Sequence, residues 1–345
     1  MRTRTILASI TLLLFLLPAS LLAQVSTAGV IFLTIEPGAR NAGLGGAGVA
    51  LGADAGATAS FYNPAALAFL PGSSISGTHN KALPELTDDM YYDFLGATHS
   101  IGRAGGLGAN ITYYSYGSQT RTDGAGNELG SIDSFDLAVT TSYGVRLRPH
   151  FAVGGSFKFI YSRLSTMGAE AEKGDGIAYS FAIDAGILFT DVFPRLNIGV
   201  ALQNVGPDIA YVDRDQADPL PQNLRVGTAW RAIDQPQHRL ILVYDLYKSL
   251  AQREKSFFVS LIAGLTDEEA KTEFKQIVQM RGAEYTYADL LSLRVGYYID
   301  EAGRVIYPTF GIGLGWNSYR FDLSHAYSPD EPYSQGTRFS VSLVF

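Results

Sequence analysis

Period-two alternation, clearest from residue 134 onward, most limits what this chain can fold into. Between 135 and 147, Phe135, Leu137, Val139, Thr141, Tyr143, Val145 and Leu147 share one face, and Asp136, Ala138, Thr140, Ser142, Gly144 and Arg146 the other. Between 178 and 190 the pattern returns, with Tyr179, Phe181, Ile183, Ala185, Ile187 and Phe189 opposite Ser180, Ala182, Asp184, Gly186 and Leu188. A strand sends successive side chains to opposite faces, so each segment has one apolar and one polar or small face. A soluble sandwich points the apolar face inward, whereas a membrane barrel points it at lipid.

Loop lengths separate these two cases. Strands are expected at 73–81, 92–101, 106–117, 134–147, 151–164, 177–190, 195–204, 222–233, 238–248, 280–288, 291–300, 307–317, 320–327 and 336–345. Short connections at 102–105, 148–150, 191–194, 234–237, 289–290 and 318–319 alternate with long ones at 82–91, 118–133, 165–176, 205–221, 249–279, 301–306 and 328–335. Short periplasmic turns alternating with longer outer loops, on an even strand count, is the rule of outer-membrane barrels. A sandwich has no reason to segregate its loops in this way. The final "RFSVSLVF" puts Phe339, Val341, Leu343 and Phe345 on one face and stops on an aromatic, as closing strands of such barrels do. The expected fold is therefore all-β, a 14-stranded antiparallel transmembrane barrel over 73–345 in the bacterial outer membrane, with lipid around it.

Composition agrees. The 345 residues include 20 Tyr, 19 Phe and 37 Gly, and only 17% are charged, against about 25% in an ordinary soluble domain. Residues 1–23 read as a signal peptide: Arg2 and Arg4 precede the apolar run Ile6 to Leu17, Pro18-Ala19-Ser20 breaks it, and Leu22-Ala23 precedes Gln24. No other segment supplies the roughly 18 consecutive apolar residues of a helical span. Without cysteine the chain has no lipoprotein attachment point, disulfide or thiolate metal site. The net charge of −7 falls to −9 once Arg2 and Arg4 leave, which speaks against nucleic acid as a partner.

Catalytic chemistry finds no support. His79, His99, His150, His238 and His325 lie far apart, without metal-ligand or triad spacing, and no nucleophile-elbow context surrounds Ser73-Ser74. The acidic loop "DRDQAD", with Asp213, Asp215 and Asp218, lacks the glycine and terminal glutamate of a calcium loop and reads as a solvated outer loop. Neither cofactor, metal nor catalytic residue is expected. Residues 266–279, "TDEEAKTEFKQIVQ", read as a helix in the longest outer loop, 249–279, with Ala270, Phe274, Ile277 and Val278 on one stripe. That stripe packs on the barrel rim or docks a partner protein.

Expected lumen-facing residues are small or polar: Asp136, Thr140, Ser142, Ser156, Lys158, Asp184, Asn197 and Gln203. A barrel of 14 strands is wider than its own side chains fill, and the one uncommitted segment is 24–72. Within it "GLGGAG", residues 43–48, matches the G-x-G-x-x-G of dinucleotide sites. The ribose-binding acid is missing, however: Asp54 comes too early, Tyr62-Asn63 stand near the expected place, and no βαβ unit follows. Gly43, Gly45 and Gly48 are instead expected to allow close backbone packing in a lumen plug, with Asn63-Pro64-Ala65 starting a turn or helix.

The stretch "FLTIEPGARNAGLGGAGVALGADAGATASFYNPAALAFL" (32–70) resembles the amino-terminal segment of the PorV/PorQ family, FadL-like outer-membrane barrels of the type IX secretion system. "GVALQNVGPDI" (199–209), "LPQNLRVGTAW" (220–230) and "RGAEYTYADLLSLRVGYYID" (281–300) match as well, so the likeness runs from about Ile31 to Phe345. It implies a plug inside a 14-stranded barrel and leaves two activities open. A PorV-like shuttle would receive secreted cargo by its carboxyl-terminal domain after release from the large translocon pore, using loops 205–221 and 249–279. A FadL-like channel would pass hydrophobic small molecules, and needs an apolar pocket that the polar inward residues argue against.

Overall fold

The computed structural model describes residues 28–83, 87–122, 125–165, 176–212, 216–251, 276–328 and 336–345. The expected leader at 1–23 and most of the expected helical loop, including Phe274, lie outside the described residues, as do Asp213 and Asp215.

Fourteen strands close into one antiparallel barrel in which each pairs with its sequence neighbours and the last with the first. They are β1 (Ser73–Lys81), β2 (Met90–Ser100), β3 (Gly106–Thr122), β4 (Glu128–Arg148), β5 (Phe151–Arg163), β6 (Ile177–Phe193) and β7 (Leu196–Val205). The second half comprises β8 (Asn223–Asp234), β9 (His238–Ser249), β10 (Ile277–Tyr287), β11 (Leu291–Asp300), β12 (Val305–Trp316), β13 (Tyr319–Ala326) and β14 (Gly336–Val344). Among the described residues no helix is long and apolar enough to cross a membrane. The crossings are made by strands, which pair every backbone group around a closed ring.

The face assignment follows the alternation. All eight expected lumen residues, Asp136 to Gln203, are buried, while Val139, Tyr143, Tyr179, Phe181, Ile183 and Phe189 face outward and are exposed. On the outside an aromatic belt steps across the first strands: Tyr91 to Tyr113 at 5.9 Å, Tyr113 to Phe135 at 5.3 Å and Phe135 to Tyr161 at 5.8 Å between ring centroids. It lies at the long-loop end, where amphipathic rings suit the lipid headgroup level.

Two differences from the expected strands have physical causes. Residues 118–133, expected as a loop, are mostly a continuation of β3 and β4 as a hairpin, with a register shift between Ser115 and Ser118. Both faces of that extension meet water, so its sequence carries no alternation. Ile277 and Val278, expected on a helix, open β10 opposite Lys248 and Tyr247, and Val278 turns into the core of the lumen. The strand's backbone pairing with β9 outweighs the local helical spacing of its first residues.

Candidate functional site

The lumen is filled by residues 28–72, which run from the long-loop end to the short-turn end before entering β1. At the outer end the Gly29 N–H donates to the Pro219 carbonyl (3.0 Å). Val30, Phe32 and Leu33 pack with Ile209 and Leu220 against inward Ala138, Ile160, Ala178 and Ala182. The described parts of the loop 205–221, residues 205–212 and 216–221, therefore fold into the barrel rather than standing free: Ile209 and Leu220 are fully buried, and Asp218 forms a bridge with Ile209. The cause is the stagger of β6, whose pairing with β7 ends at Ile183 and Val205 although its pairing with β5 continues to Ile177. Chain from 206 onward covers that open edge, with Ser180 Oγ donating to the Pro207 carbonyl (2.9 Å).

Further in, Ala39–Ala42 is one helical turn whose first N–H donates to Ser340 Oγ (2.7 Å). Arg40 donates to Glu284 of β10 through Nε and Nη2, at 2.9 and 2.7 Å, while its Nη1 donates to the Asp54 carbonyl. Glu284 also accepts from Arg294 Nε (2.5 Å), and Arg294 in turn contacts Asp322 (2.8 Å), beside which Arg320 lies at 3.3 Å. Three arginines thus share two carboxylates at the junction of plug and wall, and Glu284, Arg294 and Asp322 are buried.

The glycine run comes next. Gly45 and Gly46 have φ of 71° and 89°, the left-handed region that favours glycine. A Cβ on Gly45 would lie 2.7 Å from the carbonyls of Arg281 and Tyr297 in the wall. The Gly45 N–H donates to Thr309 Oγ1 (3.0 Å), and the N–H groups of Gly48 and Val49 both donate to Asp245 Oδ2 of β9, at 2.7 and 2.9 Å. A Cβ on Gly48 would meet the Asn41 amide at 2.5 Å and the Tyr62 ring at 2.8 Å, whereas at Gly43 it would sit less tightly, 3.3 Å from Gly311 and 3.4 Å from the Ala39 carbonyl. The N–H groups of Gly45, Gly48 and Val49 are already taken by Thr309 and Asp245 and so are not open to cradle a phosphate; the run is committed to the wall.

Asn63 is fully buried and spans plug and wall together. Its side-chain oxygen accepts from the Ala65 N–H (3.0 Å), capping the 3-10 turn Pro64–Phe69, and its NH2 donates to the carbonyls of Val49 and Ile187 (both 3.0 Å). Pro64 sits at the start of that turn, where its missing N–H costs nothing. Beneath the turn, Gly106, Gly144, Gly154 and Gly186 stand directly opposite one another on β3, β4, β5 and β6. A Cβ on any of the four would collide with Asn63, Pro64 or Leu67 of the plug. Glycine here is required by the close approach of two backbones.

Sequence reasoning missed the wall's charged anchors: Asp245, Glu284, Arg294, Arg320, Asp322 and Arg225. Arg225 lies buried between the rings of Tyr62 and Tyr247, its guanidinium carbon 5.5 and 5.1 Å from their centroids. Asp245 was visible as a lone charge within the otherwise apolar "LILVYDLY", whereas the others lie in strands that mix polar and apolar residues, such as "YRFDLSHA" for Arg320 and Asp322.

The plug divides the space that remains. On its outer side a cavity of about 490 Å³ is lined by Tyr92, Tyr114, Tyr298, Tyr307, Glu36 and Arg338. On its inner side a cavity of about 180 Å³ lies among Arg40, Leu70, Ser74, Ser76 and Arg320.

The family model described as "Type IX secretion system protein PorV" matches residues 20–254. Among solved structures, the toluene transporter TbuX of Ralstonia pickettii is 16% identical, with 89% of this chain and 96% of that one covered and a TM-score of 0.51. The toluene transporter TodX of P. putida is 12% identical, covers 90% and 98%, and gives a TM-score of 0.55. At these identities the likeness is one of fold. No curated protein sequence matches the chain.

Proposed function

Since the chain belongs to the PorV family of type IX secretion system proteins, and is a FadL-like barrel of the bacterial outer membrane, we propose that it acts as a closed docking barrel. On this reading it receives secreted cargo at its outer end instead of conducting it. The observation that carries the proposal is the plug: its backbone is hydrogen-bonded to Asp245, Ser340 and Thr309 of the wall, and its side chains Arg40 and Asn63 are paired across the same seam. A lumen closed at that many points leaves the outer rim as the working surface, and rigid barrels carry recognition on their loops. Cargo carboxyl-terminal domains and the large translocon barrel are the partners this reading requires.

A second reading is favoured by the tyrosine-lined outer cavity, of a size that suits a small hydrophobic ligand. TbuX and TodX are toluene transporters of this fold, and the chain would then pass hydrophobic molecules around a displaced plug.

One experiment separates the two. Deletion in the native host is followed by measuring both surface-delivered cargo and uptake of labelled toluene. Cargo retained in the periplasm with uptake unchanged supports docking; normal cargo delivery overturns it, and reduced uptake then selects the channel.

A further inference from the structure

The extension of β3 and β4 rises past the strands on either side. β2 begins opposite Tyr116, and β5 ends opposite Phe135, so among the described residues these two strands pair only with each other from Ser118 to Thr122 and from Glu128 to Asp133. The ribbon stands above the aromatic belt of Tyr91, Tyr113 and Phe135, beyond the level at which strands are needed to cross lipid. Its residues Ser118, Gln119, Thr120, Thr122, Glu128, Gly130 and Ser131 are exposed.

Two side chains reveal which backbone groups point outward. The Ser118 N–H donates to Asp89 Oδ2 (2.8 Å), on the side away from β4, and the Asp133 carbonyl accepts from Arg163 Nη2 (3.0 Å), on the side away from β3. Ser118 and Asp133 are directly opposed, so the two observations agree that this is a non-hydrogen-bonded pair of the antiparallel ladder. Alternation along the ladder makes Gln119 with Ile132 a bonded pair and turns the N–H and C=O of Thr120 and Ser131 outward, to opposite edges of the ribbon. Asp89 and Arg163 close both edges at the barrel rim, and above them no other described residue pairs with either edge.

We propose that this ribbon is a strand-addition site on which an extended segment of a partner protein pairs by its main chain along the Thr120 or Ser131 edge. Exposed edge groups are a template for another strand. Most of the exposed side chains, those of Ser118, Gln119, Thr120, Thr122 and Ser131, are uncharged, with Glu128 and Asp133 the exceptions, so the occupant is defined chiefly by its extended backbone. The inference rests on the docking reading, with a strand of the cargo's carboxyl-terminal domain as the occupant.

The test uses the full chain in lipid nanodiscs and a purified carboxyl-terminal signal domain from a secreted protein of the same genome. Thr120→Pro and Ser131→Pro each delete an outward N–H without removing a ladder bond. Thr120→Val and Ser131→Val keep the N–H and change only the side chain. The expected result is at least about tenfold weaker binding for one proline variant and unchanged binding for both valine variants, because lost main-chain bonds carry the affinity. Thr120→Cys and Ser131→Cys labelled with a bulky maleimide block the same edges without altering the backbone and are expected to reproduce the loss. Wild-type binding that survives both prolines and both labels overturns the ribbon site alone. Absence of wild-type binding overturns the docking reading together with it.

Discussion

The backbone N–H of Gly48 donates to the carboxylate of Asp245 at 2.7 Å, so an acid buried in the barrel wall holds the glycine run of the plug. The same oxygen accepts from Val49 at 2.9 Å. Asp245→Ala leaves both N–H groups without a partner, at a cost of about 1–3 kcal/mol for each. Faster amide exchange at residues 48 and 49, and more frequent openings in planar-bilayer recordings, are the expected outcomes. Exchange as slow as in the wild type would show that the carboxylate does not anchor the plug.

The row of facing glycines makes a steric prediction. Gly186→Ala places a methyl against the Asn63 side chain, and such overpacking costs about 1–3 kcal/mol. Gly77→Ala, at a position with nothing within 4 Å of the added methyl, is the control. Heat-modifiable mobility on gels should shift to lower temperature for the first substitution and stay unchanged for the second.

Charge sharing at Glu284 predicts an asymmetry. Glu284→Gln leaves Arg40, Arg294 and Arg320 around one remaining carboxylate, Asp322, and breaking a buried pair in this way costs about 3–5 kcal/mol. Arg40→Met costs less, because Glu284 keeps Arg294 at 2.5 Å and Arg320 at 3.7 Å. Denaturant midpoints of the two variants in micelles give the order directly, and equal midpoints would contradict it.

Leu95 faces outward at the middle of β2 and is exposed. Leu95→Arg should destabilise the inserted barrel by about 2–4 kcal/mol, the cost of a cation on the lipid face near the bilayer midplane. Thr120→Arg, on the ribbon, should leave stability unaltered. Reversible unfolding in lipid vesicles measures both.

Comparison of particular elements shows why some of this was legible. β1 and β11 run over 73–81 and 291–300, as the alternation places them. An apolar face toward lipid and a polar face toward the lumen leave a period-two record in the residues themselves. The ribbon at 118–133 left none, because water lies on both of its faces. Ile277 and Val278 misled because a short apolar spacing fits a helical stripe and a strand start equally. The inward folding of 205–212 and 216–221 had no local signature either, since it follows from the stagger between β6 and β7 beside β5, a property of three strands at once.

What the sequence determined by itself is the barrel, its strand count and the faces of the alternating segments. Each of these follows from local periodicity or loop length. What only the tertiary structure decided is how the plug is held. Gly48 meets Asp245 across 197 positions of sequence and Arg40 meets Glu284 across 244. Pairings at such separations depend on where the closed sheet brings distant strands, and a carboxylate inside a strand reads the same whether it faces an open lumen or the backbone it anchors.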